Sequence, residues 1–411
     1  MKHRVLKVHP SDNVLVALTD LLKGERIAFD GSVYQLQDNI KAKHKFAICD
    51  LAAGAEIIMY GVLVGKAQQS IASGSWINTT NVKHASGDFK TGERNTHWSV
   101  PDVSKYQGRT FNGYYRSDGS VGTANYWIVI PMVFCENRNL DILEQSLVNE
   151  LGYGNNQSFR QQSKQLIEMY QAGSDVESIL NADIQVDAAM KKSDRLFPNV
   201  DGIKFLSHEL GCGGTRQDAQ ALCGLLAGYV THPNVAGATV LSLGCQNAQV
   251  AMLESEIARR SPNFDKPIYI LEQQKIGEIN ELIAQAIKKT FAGLMIANQQ
   301  ERRPAPVDKI CIGLECGGSD GFSGISANPA IGYTSDLLVA LGGTVILSEF
   351  PELCGVEQNL SDRCIDEATA ERFGHLMITY NNRAKAVGSG FDMNPSPGNI
   401  KDGLITDAIK S

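Results

Sequence analysis

The sequence predicts a small β-rich N-terminal unit followed by an α/β body with a mostly parallel sheet. Three observations carry this. Up to about residue 88, short apolar or alternating runs are separated by turn residues. From about residue 126, buried-type strands alternate with helical stretches. Four of those strands end in Cys, His, Asp or Glu, and open parallel sheets bind ligands outside the carboxyl ends of their strands.

In residues 1–88 the strand runs are "RVLKVH", "YQLQDN", "HKFAICDL", "AEIIMYGVLVGKAQ" and "SWINTTNV", punctuated by "HPSDN", "KGE", "FDGS" and "LAAGAE". One helix is expected here, "DNVLVALTDLLKG", with Asp12 as N-cap and Gly24 as its stop. Residues 89–112 are polar and without period, and read as a linker. Residues 113–411 form the α/β body. A Gly-rich turn, "GYYRSDGSVGTANY", feeds a strand from Tyr126 to Phe134. The helical stretches "LDILEQSLVNELG" and "SFRQQSKQLIEMYQAG" precede the strands "GIKFLSH", "ATVLSLGC", "PIYILEQ", "KICIGLE" and "TVILSEF".

The body contains an internal echo. "VDGIKFLSHELGCGG" resembles "VDKICIGLECGGSD", and each is followed by a helical stretch and a strand. Two related halves are therefore expected, the second from about residue 305. Aligning Cys212 with Cys316 sets Cys245 opposite Glu349.

The chain has 411 residues, 43% hydrophobic and 20% charged, enough for a sizeable core. Its net charge of −7 argues against a nucleic-acid partner. There is no run of 18 apolar residues and no apolar leader after "MKHRVLKVHPSDN", so no membrane partner is expected and the cytoplasm is the expected location. Nine cysteines without an export signal suggest reduced thiols more than a disulfide framework. Cys49, Cys135, Cys223, Cys311 and Cys364 are expected to be small buried hydrophobes.

The chemistry is expected at the strand ends: His208, Glu209 and Cys212; Cys245, Gln246 and Asn247; Glu315, Cys316 and Asp320; Glu349, Glu352 and Cys354. "GCGGT" lacks the Lys of a phosphate-binding P-loop, and no C-x-x-C pair marks a zinc ribbon. Two metal sets remain open. Cys212, Cys245 and Cys316 would hold an iron–sulfur cluster with one open iron. His208, Glu315, Asp320 and Glu349 would hold one Fe(II) or Mn(II) ion. A nucleophilic pair of His208 and Cys212 is a further alternative.

"GYYRSDGSVGTANY", "HELGCGGTRQD" and "GLECGGSDGFSGISANPAIG" resemble the signature stretches of the altronate dehydratase and galactarate dehydratase family. "HPSDNVLVAL" through "HKFAICDLAAGAEIIMYGVLVGKA" resembles its N-terminal SAF (β-clip) domain. The resemblance implies a hydro-lyase, altronate dehydratase before galactarate dehydratase, that removes water from a six-carbon sugar acid with the help of iron. His208 is then the expected base. Arg116, Arg216 and Lys385 are the expected partners of the substrate carboxylate, and assembly into a homo-oligomer is expected. Two departures stand out. Asn78 and Thr80 occupy positions where the family often carries histidines, which would shift any such role to His9, His44 or His84. The family's C-terminal domain normally runs on past "PSPGNIKDGLITDAIKS", so a truncated chain is expected. A non-catalytic sugar-acid or metal-binding fragment and a thiol-dependent oxidoreductase are the other function classes.

Overall fold

The structure, a computed structural model, describes residues 3–85, 92–154, 157–184, 195–315, 317, 321–390, 398 and 401. The chain divides into two compact units. One joins Met1–Gln107 with Ile310–Ser411; the other is Gly108–Lys309.

The N-terminal part of the first unit carries nine short strands. They are β1 (Val5–Leu6), β2 (Val14–Ala17), β3 (Arg26–Phe29), β4 (Ser32–Gln35), β5 (Lys45–Ala47), β6 (Glu56–Met59), β7 (Val62–Ala67), β8 (Trp76–Ile77) and β9 (Val82–His84). They form a sheet ordered β1-β2-β5-β8, a β3-β4 hairpin and a sheet ordered β6-β7-β9, all antiparallel.

The helix expected over residues 12–24 is absent; β2 stands there. Val14 and Val16 face one core cluster, while Leu15 and Ala17 face another. A strand buried on both faces reads as one continuous apolar run, which a helix also produces. Asp12 is no helix cap. Its buried carboxylate accepts the backbone N–H of His9 at 2.9 Å and of Gly61 at 2.9 Å, stapling two loops.

The second unit holds β10 (Thr110–Tyr115), β11 (Val121–Gly122), β12 (Tyr126–Pro131), α1 (Asn137–Leu147), α2 (Gln157–Gln171), α3 (Val176–Leu180), β13 (Gly202–Phe205), α4 (Arg216–Thr231), β14 (Val235–Ser242), α5 (Val250–Arg260), β15 (Ile268–Glu272), α6 (Gln273–Ile276), α7 (Ile279–Ala297) and β16 (Arg303–Pro306). Strands β13-β12-β14-β15 form a fully parallel sheet. Alternation along β12 decides its two faces. Trp127 and Val129 pack with α1 and α7 residues such as Leu143 and Leu294. Ile128 and Ile130 pack with α4 and α5 residues such as Leu226 and Leu253. Helices on both faces explain why these strands are apolar throughout.

The C-terminal part of the first unit holds β17 (Cys311–Leu314), α8 (Ala327–Ala340), β18 (Thr344–Leu347), α9 (Glu357–Asp362) and α10 (Glu367–Ala386). β17 and β18 are parallel, with α8 as crossover. The internal echo thus extends to the order strand–helix–strand, but not to the pairing. β12 lies between β13 and β14, whereas β17 bonds β18 directly.

Contacts, not sequence order, assign residues 310–411 to the N-terminal part. Ile325 packs against the Val14 cluster, and the Lys43 ammonium lies 5.6 Å from the centre of the Phe322 ring. The stretch read as a linker is engaged over its described part. Arg94 Nε donates to Ser361 O at 2.8 Å, its Nη2 donates to Cys364 O, and Asn95 N donates to Asp362 Oδ1 at 3.0 Å. Residues 110–112 belong to β10, and residues 86–91 lie outside the described ones.

Of the five cysteines expected in the core, only Cys223 is buried, and burial pushes its thiol up to about 11. Cys49, Cys135 and Cys311 are exposed, and Cys364 is half-buried. Cys49 and Cys135 stand where the chain leaves a strand, and Cys311 opens one.

Candidate functional site

The parallel sheet of the second unit ends in four loops that bond to one another at its carboxyl edge. Phe134 N, after β12, donates to Leu210 O, after β13, at 2.9 Å. Asn247 N and Ala248 N, after β14, donate to Gly211 O at 2.9 and 3.2 Å. Gln274 N, after β15, donates to Leu243 O at 3.1 Å. Gly211, at φ +101, makes this possible. A Cβ there would stand 2.2 Å from Met132 O and 2.7 Å from Val133 Cα.

His208 sits in this network with both ring nitrogens engaged. Nδ1 accepts from Leu210 N at 3.1 Å, so Nε2 carries the proton and donates to Pro131 O at 2.8 Å. Asn137 Nδ2 donates to the His208 carbonyl at 2.9 Å. The ring therefore ties the end of β12 to the loop after β13 and offers no free nitrogen in this arrangement.

The three expected cationic partners differ sharply. Arg116 is buried. Its Nε donates to Pro233 O at 2.7 Å and its Nη2 to Asn125 Oδ1 at 3.1 Å, while Nη1 bonds Gln300 Oε1. Its donors are spent on holding loops. Lys385 is exposed on the last turn of α10. Arg216 is exposed and opens α4, where a Thr215–Asp218 capping box starts the helix. Backbone and hydroxyl donors of Thr215 hold the Asp218 carboxyl below the usual range.

The expected metal ligands fall in both units. Cys212 and Cys245 are exposed at strand ends of the second unit. Glu315 is exposed after β17, and Glu349 follows β18 at φ +60, a strained conformation for a residue with a side chain. Both belong to the first unit. Cys316 and Asp320 lie outside the described residues. Among the described residues no three His, Cys, Asp or Glu side chains stand close enough to share one ion.

The sequence reading missed Cys135, Glu136 and Asn137 after β12, although the strand-end signal applied to "PMVFCENRN" as well. Glu136 is fully buried, and burial raises its carboxyl above the usual range. Oε2 accepts from Asn139 Nδ2 at 2.7 Å, but Oε1 and the neighbouring Asn137 Oδ1 are buried without a partner. A groove of about 660 Å³ on the outer face of α4 and α5, lined by Leu225, Tyr229 and Arg259 among others, includes none of the expected site residues.

A β-rich N-terminal domain combined with a parallel α/β unit whose glycine-bent loops gather polar side chains at the strand ends defines the class: a two-part α/β protein with an open parallel sheet. Comparison with known families makes it specific. Residues 3–85 match the altronate/galactarate dehydratase SAF domain, residues 113–298 the second domain of D-galactarate dehydratase/altronate hydrolase, and residues 307–411 the C-terminal domain of D-galactarate/altronate dehydratase. The chain belongs to the D-galactarate/altronate dehydratase family.

It is 30% identical to the altronate dehydratases of Escherichia coli (strain K12) and Bacillus subtilis (strain 168), over 99% of this chain and 72% of each relative. It is also 30% identical to the galactarate dehydratase (L-threo-forming) of Escherichia coli (strain K12), over 99% of this chain and 70% of that relative. Among the described residues no helix is long and apolar enough to cross a membrane.

Proposed function

We propose that this chain is a hydro-lyase that dehydrates D-altronate to 2-keto-3-deoxy-D-gluconate, a step of hexuronate breakdown. The observation that supports this best is similarity along the chain, in all three domains, to altronate dehydratases.

The reaction removes the proton on the carbon beside the carboxylate and expels the 3-hydroxyl. The barrier lies in the doubly negative enediolate, so the site must present cations where that charge develops. Arg216 is the proposed carboxylate clamp. Its guanidinium is exposed at the N-terminus of α4, where the helix dipole also favours an anion. His208 is proposed as a positioning residue that holds the loop of Cys212 against β12. Iron is the proposed cofactor, with Mn(II) second, and would supply Lewis acidity.

A dehydration assay on D-altronate and D-galactarate, with the chain loaded in turn with Fe(II) and Mn(II), tests this reading. Keto-acid formation from D-altronate supports it. Turnover of D-galactarate alone would move the assignment to the dicarboxylate, and turnover of neither would remove the enzyme reading.

A further inference from the structure

We propose that the groove on the outer face of α4 and α5 seats a second copy of this chain, related by a twofold axis, with α4 packed antiparallel on its copy. The inference goes beyond the dehydration reading and does not rest on it.

The outer face of α4 differs from that of a helix meant to face water. Such a helix opposes its apolar stripe with charged and polar residues. α4 does turn Leu222, Leu226 and Val230 into the core. Yet on its other side Leu225 is 57% and Tyr229 45% exposed, and both line the groove. Gly224 and Gly228 line it beside them. Glycine in a helix interior costs stability against alanine. Gly293 on α7 has a reason in its own chain, because the Trp127 ring fills its side-chain space. Gly228 has none: a Cβ there would meet no atom within 4 Å. Its bare backbone keeps a trough open towards the outside.

Ridge and trough lie on the same helix, and this selects the occupant. Gly224 and Gly228 stand one turn apart, and so do Leu225 and Tyr229, one residue further on. A twofold contact is reciprocal, so the ridge of each copy enters the trough of the other. Without side chains at Gly224 and Gly228 the two helix axes can come close.

The charges fit the same arrangement. Glu256 lies one turn before Arg259 and Arg260 on α5, and all three line the groove. A Cβ at Gly224 would stand 3.3 Å from Arg260 Nη2 and 3.7 Å from Glu256 Oε2, so these charges sit at the level of Gly224. A twofold axis crossing the helices at that level lays α4 over α4 and α5 over α5, each reversed. The reversal sets the acid of each copy against the bases of the other. Arg259, whose side chain is 65% exposed, keeps donors for this beyond its 2.8 Å bond to Glu256. At 1.5 Å per residue the two helices are about 24 and 16 Å long. Such a face is at or below the ~800 Å² per partner of a standard interface. The dimer should therefore dissociate on dilution into the micromolar range.

Sedimentation velocity and light scattering on the full chain, over a wide concentration range, test the proposal. The expected result is a reversible passage from one chain to two. Gly228→Leu fills the trough and should raise the dissociation constant roughly tenfold or more, the effect of overfilling a packed contact. Its own fold should hold, because the added side chain meets open space and leucine is the better helix former. Leu225→Gln removes the ridge at an exposed position and should weaken the dimer in the same direction. Arg259→Glu should weaken it as well, and added salt should do so in the unmodified chain. A single-chain mass at every concentration overturns the proposal and leaves the groove to another protein. A dimer indifferent to both Gly228→Leu and Leu225→Gln overturns it too, since another surface then makes the contact. Growth into open chains of many copies would rule out the twofold axis.

Discussion

His208 Nε2 donates to the carbonyl oxygen of Pro131 across 2.8 Å, joining the ends of two parallel strands through a side chain. His208→Ala should loosen the edge by about 1–2 kcal/mol, the cost of a lost half-buried hydrogen bond and its orphaned partner. His208→Gln keeps a donor and should retain more turnover than His208→Ala, with the acid limb of its pH–rate profile unchanged. A folded His208→Gln chain that lacks this limb would restore His208 to the role of base.

Arg116 and Arg216 should separate cleanly. Arg116→Met leaves Pro233 O, Asn125 Oδ1 and Gln300 Oε1 without their donor in a buried place. Stability measured by urea should drop by about 3 kcal/mol or more. Arg216→Gln should leave the urea midpoint unchanged and raise KM for the sugar acid roughly tenfold or more, as expected for a lost charge-assisted contact. An unchanged KM would end its role as clamp.

The indole of Trp127 occupies the space beside Gly293 on α7, where a Cβ would lie 2.0 Å from the ring. The ring cannot retreat easily, because Nε1 donates to Thr239 Oγ1 at 3.1 Å and Gly237 leaves room for it on the other side. Gly293→Ala should destabilise the second unit by about 1–3 kcal/mol despite Ala being the better helix former. A gain in thermal stability would contradict the packing described.

Lys266 donates to Val230 O, Thr231 O and His232 O at 3.4, 3.1 and 2.7 Å, capping the end of α4. Burial, with Arg116 nearby, lowers its ammonium from 10.5 to about 8. Between pH 8 and 10.5 the unfolded chain therefore holds more protons than the folded one, and stability rises with pH across that window. Below about pH 8 the cost is fully present and flat. The rise is on the order of 3 kcal/mol at most, and Lys266→Met should abolish it in urea titrations at stepped pH.

The alternating runs and the turn residues between them sufficed to predict a β-rich N-terminal domain and a parallel α/β body. These are local patterns, carried by neighbouring residues. The run Val14–Ala17 misled because burial on both faces erases the period that tells strand from helix. Arg116 and Arg216 both stand in glycine-rich turns of the sequence, yet one is spent on backbone carbonyls and the other reaches solvent. Which of two like side chains is buried depends on Pro233 and Gln300, both far away in the chain. The same holds for Cys135, which reads as a small buried hydrophobe in the sequence and is exposed after β12. Tertiary structure alone decides such questions, because burial and hydrogen-bond partners are set by elements that sequence spacing does not bring together.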